Sequence, residues 1–112
     1  MPEITVEQFF QTEMRVGRIT RAENFAKAKK PAYKLWIDFG PYGIKQSSAQ
    51  ITKRYTPEQL LGRLVVAVTN FPPRQIVDFS SEVLVLGVEV GQGDVILLKP
   101  DSDDIPLGNA VS

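Results

Sequence analysis

The stretch from Leu64 to Val90 constrains this chain most. Its two ends, Leu64–Asn70 and Glu82–Val90, are nearly continuous runs of Val and Leu. Such runs predict strands covered on both faces. Between them lies Phe71-Pro72-Pro73-Arg74, followed by Ser80-Ser81. Two successive prolines remove two backbone donors and fix φ at both positions, so this connection is expected to be a loop, neither strand nor helix. An amide (Asn70), an aromatic ring (Phe71), a cation (Arg74) and paired hydroxyls cluster in that connection. A binding surface is therefore expected there, with a plain core hairpin on a long connection as the alternative.

At 112 residues the chain is sized for one domain with one modest core. No apolar run approaches the roughly 18 residues of a membrane span. The start, Met-Pro-Glu-Ile-Thr, lacks the basic and apolar segments of a signal peptide, and a cytoplasmic location without membrane insertion is expected. The chain has neither cysteine nor histidine. That excludes disulfides and thiolate sites, and removes the usual nucleophile–base pairs and most zinc sites. No enzyme, cofactor or metal is expected; Asp101, Asp103 and Asp104 read as a solvated tail.

The net charge of zero conceals a partition. Residues 15–74 carry 12 Lys and Arg against three acids, whereas the segments before and after are acidic. A basic face for an anionic partner follows if folding keeps these groups together.

Thr5-Val-Glu-Gln8 is a capping box that predicts a helix over residues 5–12, with too few apolar residues (Val6, Phe9, Phe10) to form a core alone. Met14–Asn24 reads as a long strand bent near Gly17, able to serve two halves of a closed sheet. Tyr33–Phe39 alternates cleanly, with Trp36 on the face opposite Leu35 and Ile37. It pairs through the Gly40–Gly43 turn with a polar strand, Ile44–Gln50, in a hairpin with one face in the core and one open. Thr56-Pro-Glu-Gln59 is a second capping box, with proline at its favoured first position. A short strand, Val95–Leu98, and a tail containing Ile105, Leu107 and Val111 complete the chain. Five strands with a helix between the third and fourth is the OB-fold pattern, so the fold class is all-β with short helices: a five-stranded OB-fold barrel carrying N- and C-terminal extensions.

Six motifs in order carry a resemblance. They are Met14-Arg-Val-Gly-Arg-Ile19, Ala32–Leu35 with Ile37–Gly40, Ile44-Lys-Gln-Ser-Ser-Ala-Gln-Ile51, Leu61-Gly-Arg63, Val65–Pro73 and Ser81–Gly87. Together the chain resembles the CsaA branch of the tRNA-binding-domain family over essentially its whole length. The resemblance implies an OB-fold that pairs into a homodimer through its extensions. It also implies two activities: an export-related chaperone for unfolded precursor proteins or peptides, or alternatively structure-specific binding of tRNA. Where the tRNA-binding relatives carry Ser-Glu-Gly-Met, this chain reads Ser81-Glu82-Val83-Leu84. The expected domains are an N-terminal helical extension (1–13), the OB-fold domain (14–90) and a C-terminal extension (91–112).

The candidate peptide-binding residues are Trp36, Gln46, Ser48, Asn70, Phe71 and Arg74. The candidate RNA-binding residues are Lys27, Lys29, Lys30, Lys34, Lys45, Ser47, Lys53, Arg54 and Ser81, because cations, hydroxyls and amides contact phosphate and the ribose 2′-hydroxyl. An outward Trp36 could stack a base, receive an apolar side chain, or lie beneath a dimer extension. Val6, Phe9, Phe10, Ile105 and Leu107 are the candidate dimer interface. The hairpin face of Lys45 and Trp36 and the loop of Phe71 are expected to turn toward one ligand.

Overall fold

One strand, β1 (Met14–Asn24), belongs to both halves of the molecule, and its bend explains the barrel. Its last residues, Arg18–Asn24, pair antiparallel with β2 (Tyr33–Asp38). Its first, Met14–Arg18, pair antiparallel with β4 (Leu64–Val68), with β3 (Ile44–Ala49) lying between the two in sequence. The register slips between Ile19 and Arg21, where the strand turns from one partner to the other. Gly17 serves the bend by packing: a Cβ there would stand 2.5 Å from Ile37 Cγ2 and 2.8 Å from the Phe39 ring. The computed structural model describes all of residues 1–112.

β2 pairs with β3 across the Gly40–Tyr42 turn. β4 pairs with a two-residue strand, β7 (Leu84–Val85), so the main sheet runs β3-β2-β1-β4-β7. This is a nearly closed five-stranded antiparallel OB barrel. Alternation places Leu35, Ile37 and Phe39 inside, with Ile19, Leu60, Val65 and Ala67, all fully buried. Leu60 arrives on the short helix α2 (Pro57–Leu60), which follows β3 as the strand order requires. Both bonds of its capping box form, as they do at α1 (Val6–Phe9). α1 is shorter than the expected 5–12 because nothing in the chain buries it, and tertiary packing is what normally sustains so short a helix.

Three expectations are corrected. The connection after Asn70 is not all loop: β5 (Arg74–Ile76) and β6 (Phe79–Ser81) form a small hairpin inside it, since both prolines precede the first paired residue. Its tip holds Val77 at φ 55°, a strained conformation for a β-branched residue, with the Gln75 side-chain amide donating to the Val77 carbonyl at 3.0 Å. Next, Glu82–Val90 is not one buried strand. After β7 the chain leaves the barrel as β8 (Gly87–Gly91), paired with β9 (Asp94–Leu97). Val88 and Val90 alternate with Gly87, Glu89 and Gly91, which gives one apolar face only, and that face is exposed. Finally, the outer face of the β2–β3 hairpin is not open. The β5–β6 hairpin folds over it, and Phe79, Phe25 and Ala32 form a second cluster against Trp36 and Ile76.

The C-terminal tail returns to β1 on the edge that β2 leaves free. Gly108 N–H donates to Val16 O at 2.8 Å, Val16 N–H to Asn109 O at 3.0 Å and Val111 N–H to Met14 O at 2.9 Å. Because Gly17 lies where the bend is most crowded, Gly17→Ala overpacks the core. It should lower stability by about 1–3 kcal/mol, read as a lower urea midpoint with unchanged slope; an unchanged midpoint would show that Ile37 and Phe39 can make room.

Candidate functional site

The barrel closes between β3 and the segment Ser80–Glu82, and it does so largely with side chains. Glu82 N–H donates to the Gln46 carbonyl at 2.8 Å, and Gln46 N–H donates to the Glu82 carboxylate at 3.0 Å. The Gln46 side-chain amide donates to Ser80 O at 2.9 Å, and Ser48 N–H to the Ser81 hydroxyl at 3.0 Å. A strand only two residues long cannot supply the full ladder, so Ser81 and Glu82 satisfy amides of β3 that would otherwise lack partners.

Two grooves flank this seam. The first, about 340 Å³, has Ser48, Ser81 and Glu82 along the seam and Phe71, Pro72, Ile76, Val83 and Leu84 as apolar walls, with Arg74 at its edge. Phe71 and Leu84, 52% and 50% exposed, both face this groove. The second groove, about 500 Å³, runs between Lys29 and Lys30 on one side and Gln75, Ile76 and Val77 on the other. Ser48, Arg74 and Ile76 line both grooves.

Four of the residues named from sequence therefore meet in the first groove: Ser48, Phe71, Arg74 and Ser81. Lys29 and Lys30 open into the second. The remainder are held elsewhere. Gln46 belongs to the seam. Asn70 fastens the N-terminal segment, accepting from Glu13 N–H at 2.9 Å and donating to Gln11 O at 2.7 Å. Trp36 meets Phe79 edge-on, with ring centres 5.8 Å apart, and carries the Arg21 guanidinium 4.3 Å above its own ring. Ser47 is buried inside the barrel wall, at 1% exposure. Lys34 lies over the Phe25 and Phe79 rings. Lys45 lines a separate small pocket with Glu13, Arg15 and Tyr42, so Lys45, Trp36 and Phe71 do not share one ligand surface.

Three further cations bind the protein to itself. Lys27 donates to Asp78 at 2.8 Å, tying the lysine loop to the tip of the β5–β6 hairpin. Arg54 makes a bidentate pair with Asp94, 2.8 Å at each bond, and Lys53 donates to Gln92 O at 3.0 Å, which together moor the β8–β9 hairpin. The Lys27 ammonium holds the Asp78 carboxyl below its ordinary value of 3.8, and the Arg54 guanidinium does the same to Asp94. The reciprocal effect raises Lys27 and Arg54. The Arg15 side chain, assisted by the Thr69 hydroxyl, lowers Glu13.

Sequence reading passed over Pro72, Ile76, Glu82, Val83 and Leu84 as groove residues. Val83 and Leu84 lie in a run that read as wholly buried. Leu84 points outward because it alternates with the buried Val83 on a strand that pairs with β4 alone.

The small five-stranded barrel with a two-part groove along its closing seam is of the OB-fold class. The pattern of the tRNA binding domain family matches residues 14–110, and the chain belongs to that family, in its CsaA branch. Among solved structures it is similar to the chaperone CsaA of Bacillus anthracis str. Ames, at 50% identity and a TM-score of 0.94, covering 99% of this chain and 100% of that one. It is similar also to the CsaA chaperone protein of Picrophilus torridus, at 46% identity and a TM-score of 0.89 over 98% of this chain and 100% of that one. Among curated proteins, the methionine–tRNA ligase of Pelodictyon phaeoclathratiforme is 38% identical over 104 residues, 93% of this chain. The chain spans only 15% of that ligase's length.

The lowered carboxylates fix the sign of the acid response. A depressed folded value adds stability above the unfolded value and loses it as pH falls through the folded one. Asp94→Asn should therefore lower the thermal midpoint at pH 7, and the gap to the unsubstituted protein should narrow as pH falls below about 3.8, the ordinary value for Asp94. Melting curves from pH 7 to pH 2 check this; a gap that widens toward acid would contradict it.

Proposed function

We propose that this chain is a homodimeric, cytoplasmic chaperone of the CsaA type that holds unfolded segments of export-bound precursor proteins. The observation that carries the reading is the first groove. Phe71, Pro72, Ile76 and Leu84 offer an apolar surface beside Ser81, Glu82 and Arg74. An extended polypeptide needs both: apolar walls for alternate side chains, and donors and acceptors for its backbone. The prolines stiffen Phe71, so little conformational freedom is lost when a client docks. The likeness to CsaA chaperones over the full length of both chains supports the same reading.

Dimerisation accounts for the apolar surface that a single chain leaves uncovered. Val6 and Phe9 on α1, Phe10 at its C-terminal cap, and Val88 and Val90 on β8 are each at least 41% exposed. In this reading the segments 1–13 and 91–112 form the interface, and permanent interfaces commonly bury about 2,000 Å² or more. Ile105 and Leu107 are already half-buried within the chain and would contribute less.

A second reading, binding of tRNA, is favoured by the second groove and by the family. Lys29, Lys30 and Arg74 make no ion pair within the chain and converge on one depression. Phosphate contacts of this kind would show as affinity that falls steeply with salt.

Titration of a labelled unfolded polypeptide at moderate salt separates the two readings. Phe71→Ala and Leu84→Ala should each weaken binding about tenfold, roughly 1.4 kcal/mol, and raise aggregation of an unfolding client. Binding unaffected by both would remove the chaperone groove. Phe9→Ser with Phe10→Ser should shift sedimentation from dimer to monomer; an unchanged dimer would move the interface elsewhere.

A further inference from the structure

The two grooves are separated by very little. Ser48, Arg74 and Ile76 form the partition, each lining both sides. Ser48 and Ile76 are fixed: Ser48 N–H is bonded to Ser81 Oγ in the seam, and Ile76 pairs with Phe79 in the small hairpin and packs on the Phe25, Ala32 and Phe79 cluster. Arg74 is different. Its backbone pairs with Ser81, but its guanidinium makes no hydrogen bond or ion pair within the chain and is exposed. A planar fork with five donors that stands unpaired between two grooves can turn to either one. Toward the first it meets polypeptide carbonyls and carboxylates. Toward the second, beside Lys29 and Lys30, it completes a three-cation site for phosphodiester oxygens.

We propose that unfolded polypeptide and RNA bind this protein in mutual exclusion, with Arg74 as the group each must recruit. The inference rests on the polypeptide groove put forward above and adds a regulation to it: RNA in the cationic groove withdraws Arg74 from the apolar one. The hairpin tip strengthens the coupling. Val77 faces the cationic groove, and Asp78 is tied to Lys27 in the lysine loop, so one short hairpin forms walls of both grooves. A ligand that displaces β5 on one side changes the width of the other.

The test is fluorescence anisotropy at constant ionic strength, with a labelled, reduced and carboxymethylated polypeptide as client and hexauridylate as competitor. The hexamer obstructs the client by bulk far less than an entire tRNA would, and the double lysine variant below ties any competition to the cationic groove. Saturating hexauridylate should raise the apparent Kd for polypeptide at least fivefold. Lys29→Glu with Lys30→Glu should abolish that rise while changing the affinity for polypeptide alone by less than twofold. Arg74→Ala should weaken both ligands at least fivefold. Simultaneous binding with unchanged affinities overturns the proposal, as does competition that survives the double lysine variant, or a failure of hexauridylate to bind at low salt. In each of those cases the chaperone reading stands. If hexauridylate binds and polypeptide does not, the chaperone reading itself fails and exclusion falls with it.

Discussion

The molecule depends on a closure made by side chains. In a five-stranded barrel the third strand must meet the last, yet β7 has only two residues. Ser81 and Glu82 stand in for the missing ladder by accepting the amides of Ser48 and Gln46. Those amides are partly buried, and an unmade bond there would cost about 1–3 kcal/mol each. The solution has a geometric consequence. A regular ladder would seal β3 against the last strand, whereas a seam of this kind leaves room on each side of it. The β5–β6 hairpin, anchored by Phe79 in its own small cluster, fills part of that room and turns the rest into grooves. Closure and grooves are thus one feature.

The charges divide along the same line. Lys27, Lys53, Arg54, Arg15 and Arg21 each find a partner within the chain. Their work is to hold loops and hairpins in place, and exposed pairs of this type contribute modestly to stability. Lys29, Lys30 and Arg74 are left without such partners. The excess of positive charge in residues 15–74 is real, and three of its cations, Arg15, Lys27 and Arg54, meet acids of the flanking segments once folded. What lines the grooves is a short arc of unpaired cations beside an apolar wall.

Much of this was legible in the sequence, for physical reasons that differ by element. Tyr33–Phe39 is legible because alternation with a period of two survives folding, and Met14–Asn24 because a glycine in a long irregular strand marks a bend. Both capping boxes were visible because they are local, needing only Thr and Gln three residues apart. The barrel order followed from a helix between the third and fourth strands. The β5–β6 hairpin was not legible: Arg74-Gln-Ile carries no alternation, and its tip is a valine where glycine would signal a turn. The departure of β8 was hidden because Val88 and Val90 look like core. Trp36 and Lys45 were assigned to a ligand face because alternation says which side of a strand a residue occupies. It does not say what later folds over that side.

The central claim is that the seam doubles as the floor of the client groove. Amide chemical-shift mapping on addition of an unfolded polypeptide tests it most directly. The account predicts perturbations concentrated at Ser48, at Phe71 and Arg74–Ile76, and at Ser81–Leu84, with α1 and the β8–β9 hairpin unchanged. Perturbations confined to α1 and β8–β9, with the seam amides silent, would contradict it.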